Sequence, residues 1–187
     1  MPFAPFRRPP KDWAPPTAGL THPQLIGIGA VITTWAALEQ TLEHLLYELV
    51  QAPDVLGQAL SEDLNADSRC KALLRLCVSW EQSLAPEYTS ERESLEQIRS
   101  SVKWARRNRD KRNKFAHYNW MRITDEQMMG FKFSLRPRQR VDGPFDKVQT
   151  ADIEPFADEI AAEVDKLFKT LSVVQSFPEW PRRTCTE

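Results

Sequence analysis

Cysteine is scarce in this chain of 187 residues, and its scarcity excludes two classes of protein at once. Cys70 and Cys77 lie seven apart on one expected helix and Cys185 falls near the end, so no disulfide framework follows. The C-x6-C spacing does not fit the short knuckles that hold zinc, and no nearby pair of histidines completes a tetrahedral site. His44 follows Glu43 and Glu39, but the Glu-x-x-His pair of a carboxylate-bridged metal bundle is missing, and His22 simply falls in the first turn of a helix. No metal and no cofactor are expected. A strong overall field is also missing: 25 Lys and Arg oppose 26 Asp and Glu, so any attraction for nucleic acid must come from a local basic patch. The first 20 residues hold six prolines among Arg7, Arg8 and Lys11 and lack the uninterrupted apolar core of a signal peptide. The longest apolar run, Leu25 to Leu38, is broken by two glycines and two threonines and is expected to be too short to span a bilayer. These absences point to the cytoplasm, away from membranes.

What is present describes an ordinary folded core. Hydrophobic residues make up 41% and charged residues 27% of the sequence, a globular balance, and the length suits one domain. Residues 1–20 read as a proline-rich arm, 21–177 as a single helical domain and 178–187 as a tail. Thr21 to Gln24 forms a capping box, opening a run in which Leu25, Ile28, Ile32, Trp35, Leu38, Leu42, Leu45, Leu46 and Leu49 recur at helical spacing. A second helix carries Ala72, Leu73, Leu76, Cys77, Trp80 and Leu84 and ends before Pro86. Ser90 to Glu93 reads as another capping box, starting a long helix that runs to about His117. Alternation in Met121–Ile123 and Phe131–Leu135 around Asp125 to Gly130 predicts a β-hairpin, followed by a long loop through Pro137, Gly143 and Pro144. A last helix, capped by Thr150 or Asp152, carries Ile153, Phe156, Ile160, Val164, Leu167, Phe168 and Leu171. The fold class is all-α: a bundle of four to five helices with a small β-hairpin insertion before the last helix. No internal repeat is visible.

The third long helix carries the chemistry. Its apolar stripe runs Leu95, Ile98, Val102, Ala105, and the same spacing then lands on Arg109, Arg112 and Ala116. An arginine on a core-facing stripe implies a paired carboxylate, a wet cleft or a covering second subunit. Glu39, among the apolar positions of the first helix, is the candidate partner of Arg112 or Arg109. Asn113 and His117, four apart, are neighbours on one face, with Arg112 beside them. Histidine moves protons near neutrality, and the arginine fork suits a phosphate. Together they have the ingredients to cleave RNA without metal, moving the proton of the 2'-hydroxyl or of the leaving oxygen while arginine stabilises charge on phosphorus oxygens.

Arg112-Asn113-Lys114-Phe115-Ala116-His117 resembles the signature of the HEPN domains, an arginine, a polar residue and then a histidine after four to six intervening residues. The long first helix with Trp35 to Glu39 and the placement of the motif late in the third helix extend the resemblance over roughly Leu20 to Phe177. Many HEPN proteins are metal-independent endoribonucleases of toxin-antitoxin, phage-defence or RNA-processing systems, and act as dimers whose motif copies meet across the interface. The resemblance implies catalytic roles for Arg112 and His117, support from Asn113, RNA as substrate, a homodimer and an antitoxin protein as a possible partner. Arg109, Lys114, Tyr118 and Glu39 are candidates for contacting RNA or supporting the site. A tyrosine that some members carry two residues after the histidine is replaced by Asn119, with Tyr118 one position earlier, so the resemblance does not imply regulation by modification there.

Plainer readings stand beside these. His117 and the cations from Arg106 to Lys114 sit where a helix C-terminus favours positive charge, and a solvated basic face accounts for all but Arg109 and Arg112. Trp35, Trp80 and Trp120 read as core or interface anchors, while Trp104 lies opposite the apolar stripe. Function is therefore divided between an HEPN-type endoribonuclease, a non-catalytic HEPN-like module binding nucleotide, RNA or protein, and a helical interaction protein with an incidental motif.

Overall fold

The computed structural model of the protein describes residues 19–51, 64–131 and 146–177. The expected N-terminal arm up to Ala18, the loop carrying Arg136, Arg138 and Arg140, and the tail from 178 lie outside the described residues. Four helices and a small antiparallel sheet follow one another: α1 (His22–Val50), α2 (Ala66–Ser83), α3 (Thr89–His117), β1 (Asn119–Arg122), β2 (Gln127–Phe131), β3 (Asp146–Gln149), a 3-10 turn (Thr150–Asp152) and α4 (Ile153–Val174). The molecule is a helical bundle with a small sheet inserted before the last helix.

Helix α1 starts as its sequence requires. The Thr21 hydroxyl accepts from the Gln24 backbone N–H while the Gln24 side chain accepts from the Thr21 N–H, so two orphan donors of the first turn are satisfied reciprocally. The remaining amide of Gln24, fully buried, donates to the carbonyls of Thr124 and Asp125 and to the Thr150 hydroxyl, which ties α1 to the sheet and to the approach to α4. Helix α4 packs most extensively on α1 and runs parallel to it: Gly27 meets Ile153 at one end, and Gln175 donates to Glu48 at the other. A Cβ on Gly27 would stand 2.9 Å from the Ile153 side chain, so this glycine sets the closeness of the two helices. Helix α3 runs the opposite way, with Ser101 donating to buried Glu163 at 2.7 Å. Helix α2 closes the bundle, its Trp80 fully buried, donating to the Leu49 carbonyl at 2.9 Å and meeting Phe177 edge-on.

Several sequence expectations change. By length and composition α1 is the one helix among the described residues long and apolar enough to cross a membrane, with a window of mean hydropathy 1.3, because the glycines and threonines do not interrupt it; its buried residues pack within the bundle. Helix α3 begins at Thr89, one residue ahead of the expected Ser90 cap, and Tyr88 at its N-cap makes no side-chain cap. The hairpin is displaced towards the N-terminus, turning at 123–126. Gly130 belongs to β2 and not to the turn, because the Trp120 ring lies across it and a Cβ there would stand 2.7 Å from that ring. Strand β3 pairs with β2 in a stretch read as loop. Asp152 holds the N-cap position of α4 without a side-chain cap, and Phe168 and Leu25, assigned to apolar stripes, are exposed. Trp104 is not opposite the core; its ring lies 6.2 Å from Trp35 and 6.4 Å from Phe156, where α1, α3 and α4 converge.

The two buried thiols make the bundle sensitive to alkali. Burial pushes Cys77 up to about 12 from the ordinary thiol value of 9.0, and pushes Cys70 in the same direction. Because the folded protein holds these protons more tightly, the contribution of the thiols to stability is complete below about pH 9 and falls as pH rises from there towards 12. Urea denaturation is expected to show a loss approaching about 1.4 kcal/mol per pH unit from Cys77 across that window. Cys77→Val should flatten the slope relative to the wild type, since valine fills similar space without titrating.

Candidate functional site

The carboxyl-terminal half of α3 gathers the candidate residues, and the helix period divides them between faces. Arg112 turns inward, its side chain only 19% exposed. Its guanidinium lies 5.8 Å above the Trp35 ring, donates to the Asn113 side-chain oxygen at 3.2 Å and sits 3.6 Å from Glu39, while its Nε is buried without a hydrogen-bond partner. Glu39 links the group together: one carboxylate oxygen accepts from the Trp35 indole N–H at 2.9 Å and the other faces Arg112. The half-enclosed guanidinium is thus held with its planar donor fork in one orientation, within cation–π reach of Trp35.

His117 is the last residue of α3 and is exposed. Asn113, one turn before it, shares its side of the helix, but His117 lies five positions beyond Arg112, about 140° around the axis and about 7.5 Å along it. One chain therefore brings Arg112, Asn113, Glu39 and Trp35 together, and holds His117 on the adjoining face. Lys114 reaches Asp146 on β3 at 3.0 Å, which fastens the sheet to α3. Tyr118 caps α3 through its backbone N–H to the Lys114 carbonyl, its ring tilted against Trp120 at 6.0 Å.

Arg109, expected on the inner stripe, is exposed. It forms the rim of a small hollow floored by Trp35, Leu38, Leu42, Cys70 and Ala105. Beside it opens a wider, shallow hollow of about 560 Å³ lined by Lys103, Arg106, Arg107 and Arg109 with Asp67 and Asp110. A hydrogen bond from Lys71 is the chief cause holding the Asp67 carboxyl below its ordinary value.

Two features of the site were not read from the sequence. Lys111 lies 3.9 Å above the Phe156 ring, a cation–π contact between α3 and α4, and Asp146 pairs with Lys114. The basic residues were visible as a run, but their partners stand more than 30 positions away and only the fold introduces them. Among the described residues no three His, Cys, Asp or Glu side chains gather where they could hold a metal ion. Chemically, the arrangement offers an oriented cation for an anionic oxygen and, on the next face, an accessible imidazole. Compared with known proteins, the chain matches no protein-family model, no curated protein and no solved structure.

Proposed function

We propose that the protein is a metal-independent endoribonuclease of HEPN type, acting as a homodimer in a toxin or defence setting in the cytoplasm. The observation that carries this is Arg112, drawn into the bundle and oriented by Trp35, Glu39 and Asn113 while His117 stays open to solvent on the same helix. The helix separates the two groups, so a composite cleft in which the His117 of one copy serves the Arg112 of the other satisfies both positions. The covering surface is at hand: Leu25 and Ile32, 39% and 37% exposed, share with Glu39 a face of α1 that leads to Arg112. In that cleft the imidazole takes the proton of the 2'-hydroxyl, whose oxygen attacks the adjacent phosphorus and expels the 5'-oxygen, leaving a 2',3'-cyclic phosphate. A second imidazole protonates the leaving oxygen, and Arg112 stabilises the charge on the phosphoryl oxygens. An antitoxin protein is the partner such an activity calls for.

The same geometry also favours a second reading, a non-catalytic module that binds nucleotide, RNA or protein, because Arg112 is already engaged by Glu39 and Asn113 within its own chain. One experiment separates them. Single-turnover cleavage of a mixed RNA pool in EDTA is expected to give cyclic phosphate ends with wild type and none with His117→Ala, both folded by circular dichroism. Binding without cleavage by the wild type establishes the module instead, and equal cleavage by both proteins removes His117 from the site.

A further inference from the structure

Seven cations and one acid occupy positions 103 to 117 of α3, in a protein whose formal net charge is -1. Their directions differ. Arg112 turns inward, Lys111 covers the Phe156 ring and Lys114 is paired with Asp146. Lys103, Arg106, Arg107 and Arg109 all line the shallow, solvent-facing hollow of about 560 Å³, and Arg106 and Arg109 also border the small hollow that contains Trp35 and Glu39, the partners of Arg112. Asp67 and Asp110 are the acids there, and Asp67 is engaged by Lys71 at 2.6 Å, leaving Arg106 at 3.6 Å from its other oxygen. Positive charge therefore dominates this face.

We propose that this face is a track for the backbone of single-stranded RNA, which leads the strand along α3 to Arg112 and His117; the proposal rests on the ribonuclease reading above and names how its substrate is held. From Lys103 to His117 the helix rises about 21 Å at 1.5 Å per residue, a path several phosphates long and one helix wide. Such a strip follows one strand, whereas a duplex presents two strands across a wider surface. The neighbouring apolar hollow offers only about 30 Å³, too little to enclose a base, so the contacts assigned to the track are those of its cations with phosphates.

The test uses the full chain carrying His117→Ala, so that RNA survives, with and without Lys103→Ala, Arg106→Ala and Arg107→Ala together. Fluorescence anisotropy reads binding of a labelled 12-nucleotide RNA, single-stranded or annealed, over a range of salt. The triple change is expected to raise Kd for the single strand about tenfold or more at low salt, and to reduce the slope of log Kd against log salt by about 2, since each single-strand phosphate contact contributes about 0.7. In the chain that keeps His117, the same triple change is expected to raise KM and leave kcat within about twofold, because these residues bind and do not react. An unchanged Kd and slope overturns the track while leaving the ribonuclease reading intact if His117 is still required for cleavage. Equal affinity for duplex and single strand overturns the single-strand assignment, and absence of RNA binding by every form overturns both.

Discussion

Arg112→Ala is expected to lower single-turnover RNA cleavage by about 10²–10³-fold with the bundle still folded, the loss typical of removing one preorganised donor to a developing negative charge. Folding should survive because the side chain is partly exposed and its contact with Glu39 is a loose 3.6 Å pair, which contributes about 1 kcal/mol or less. The carboxylate it leaves behind still accepts from the Trp35 indole. Arg112→Lys keeps the charge but loses the planar fork and the second donor, so activity should recover only in part. Glu39→Gln is informative in a different way: glutamine still accepts from Trp35, but the charge that orients the guanidinium is gone. A drop in kcat with little change in melting temperature identifies Glu39 as a positioning residue. A matching loss of stability and activity instead assigns it a structural role, and full activity of folded Arg112→Ala would remove the arginine from the proposed chemistry.

Trp80→Ala is expected to cost about 3–5 kcal/mol of stability, the range for truncating a large aromatic side chain in a packed core. The ring is fully buried on α2, meets Phe177 edge-on with centroids 5.3 Å apart, and its indole N–H satisfies the Leu49 carbonyl near the end of α1. Truncation opens a cavity and leaves that helix-terminal carbonyl without its donor, two penalties that add. Against a typical total of about 5–15 kcal/mol, much of the protein would unfold. Urea denaturation reads the change directly. Trp80→Phe fills most of the space without the N–H, so its difference from the wild type chiefly reports the hydrogen bond to Leu49 and its difference from Trp80→Ala reports the cavity. A cost below about 1 kcal/mol for Trp80→Ala would mean that α2 contributes little to the cooperative core.

Local signals in the sequence located the helices well. The reciprocal cap of Thr21 and Gln24, the limit of α2 before Pro86 and the end of α3 at His117 are set by neighbours a few residues apart, which periodicity and capping chemistry record. The sheet was less legible. Gly130 has the look of a turn residue, yet its bare Cα is needed beneath the Trp120 ring, and β3 acquires its strand conformation by pairing with β2 across residues outside the described set. Trp104 shows the same limit: helical spacing places it away from the apolar stripe, and only the convergence of Trp35 and Phe156 from two other helices gives it a half-buried seat.

For the candidate site, the sequence by itself determined that Arg112 falls on the core-facing side of α3, that Asn113 shares a face with His117, and that cations crowd this end of the helix, because all three follow from a 3.6-residue period along one element. The tertiary structure alone decided that Arg112 lies over Trp35 beside Glu39, that Arg109 reaches solvent and that Lys111 and Lys114 are engaged by Phe156 and Asp146. Those outcomes depend on how helices diverge and which side chains from distant segments fill the space between them, and that packing has no signature in the local order of residues.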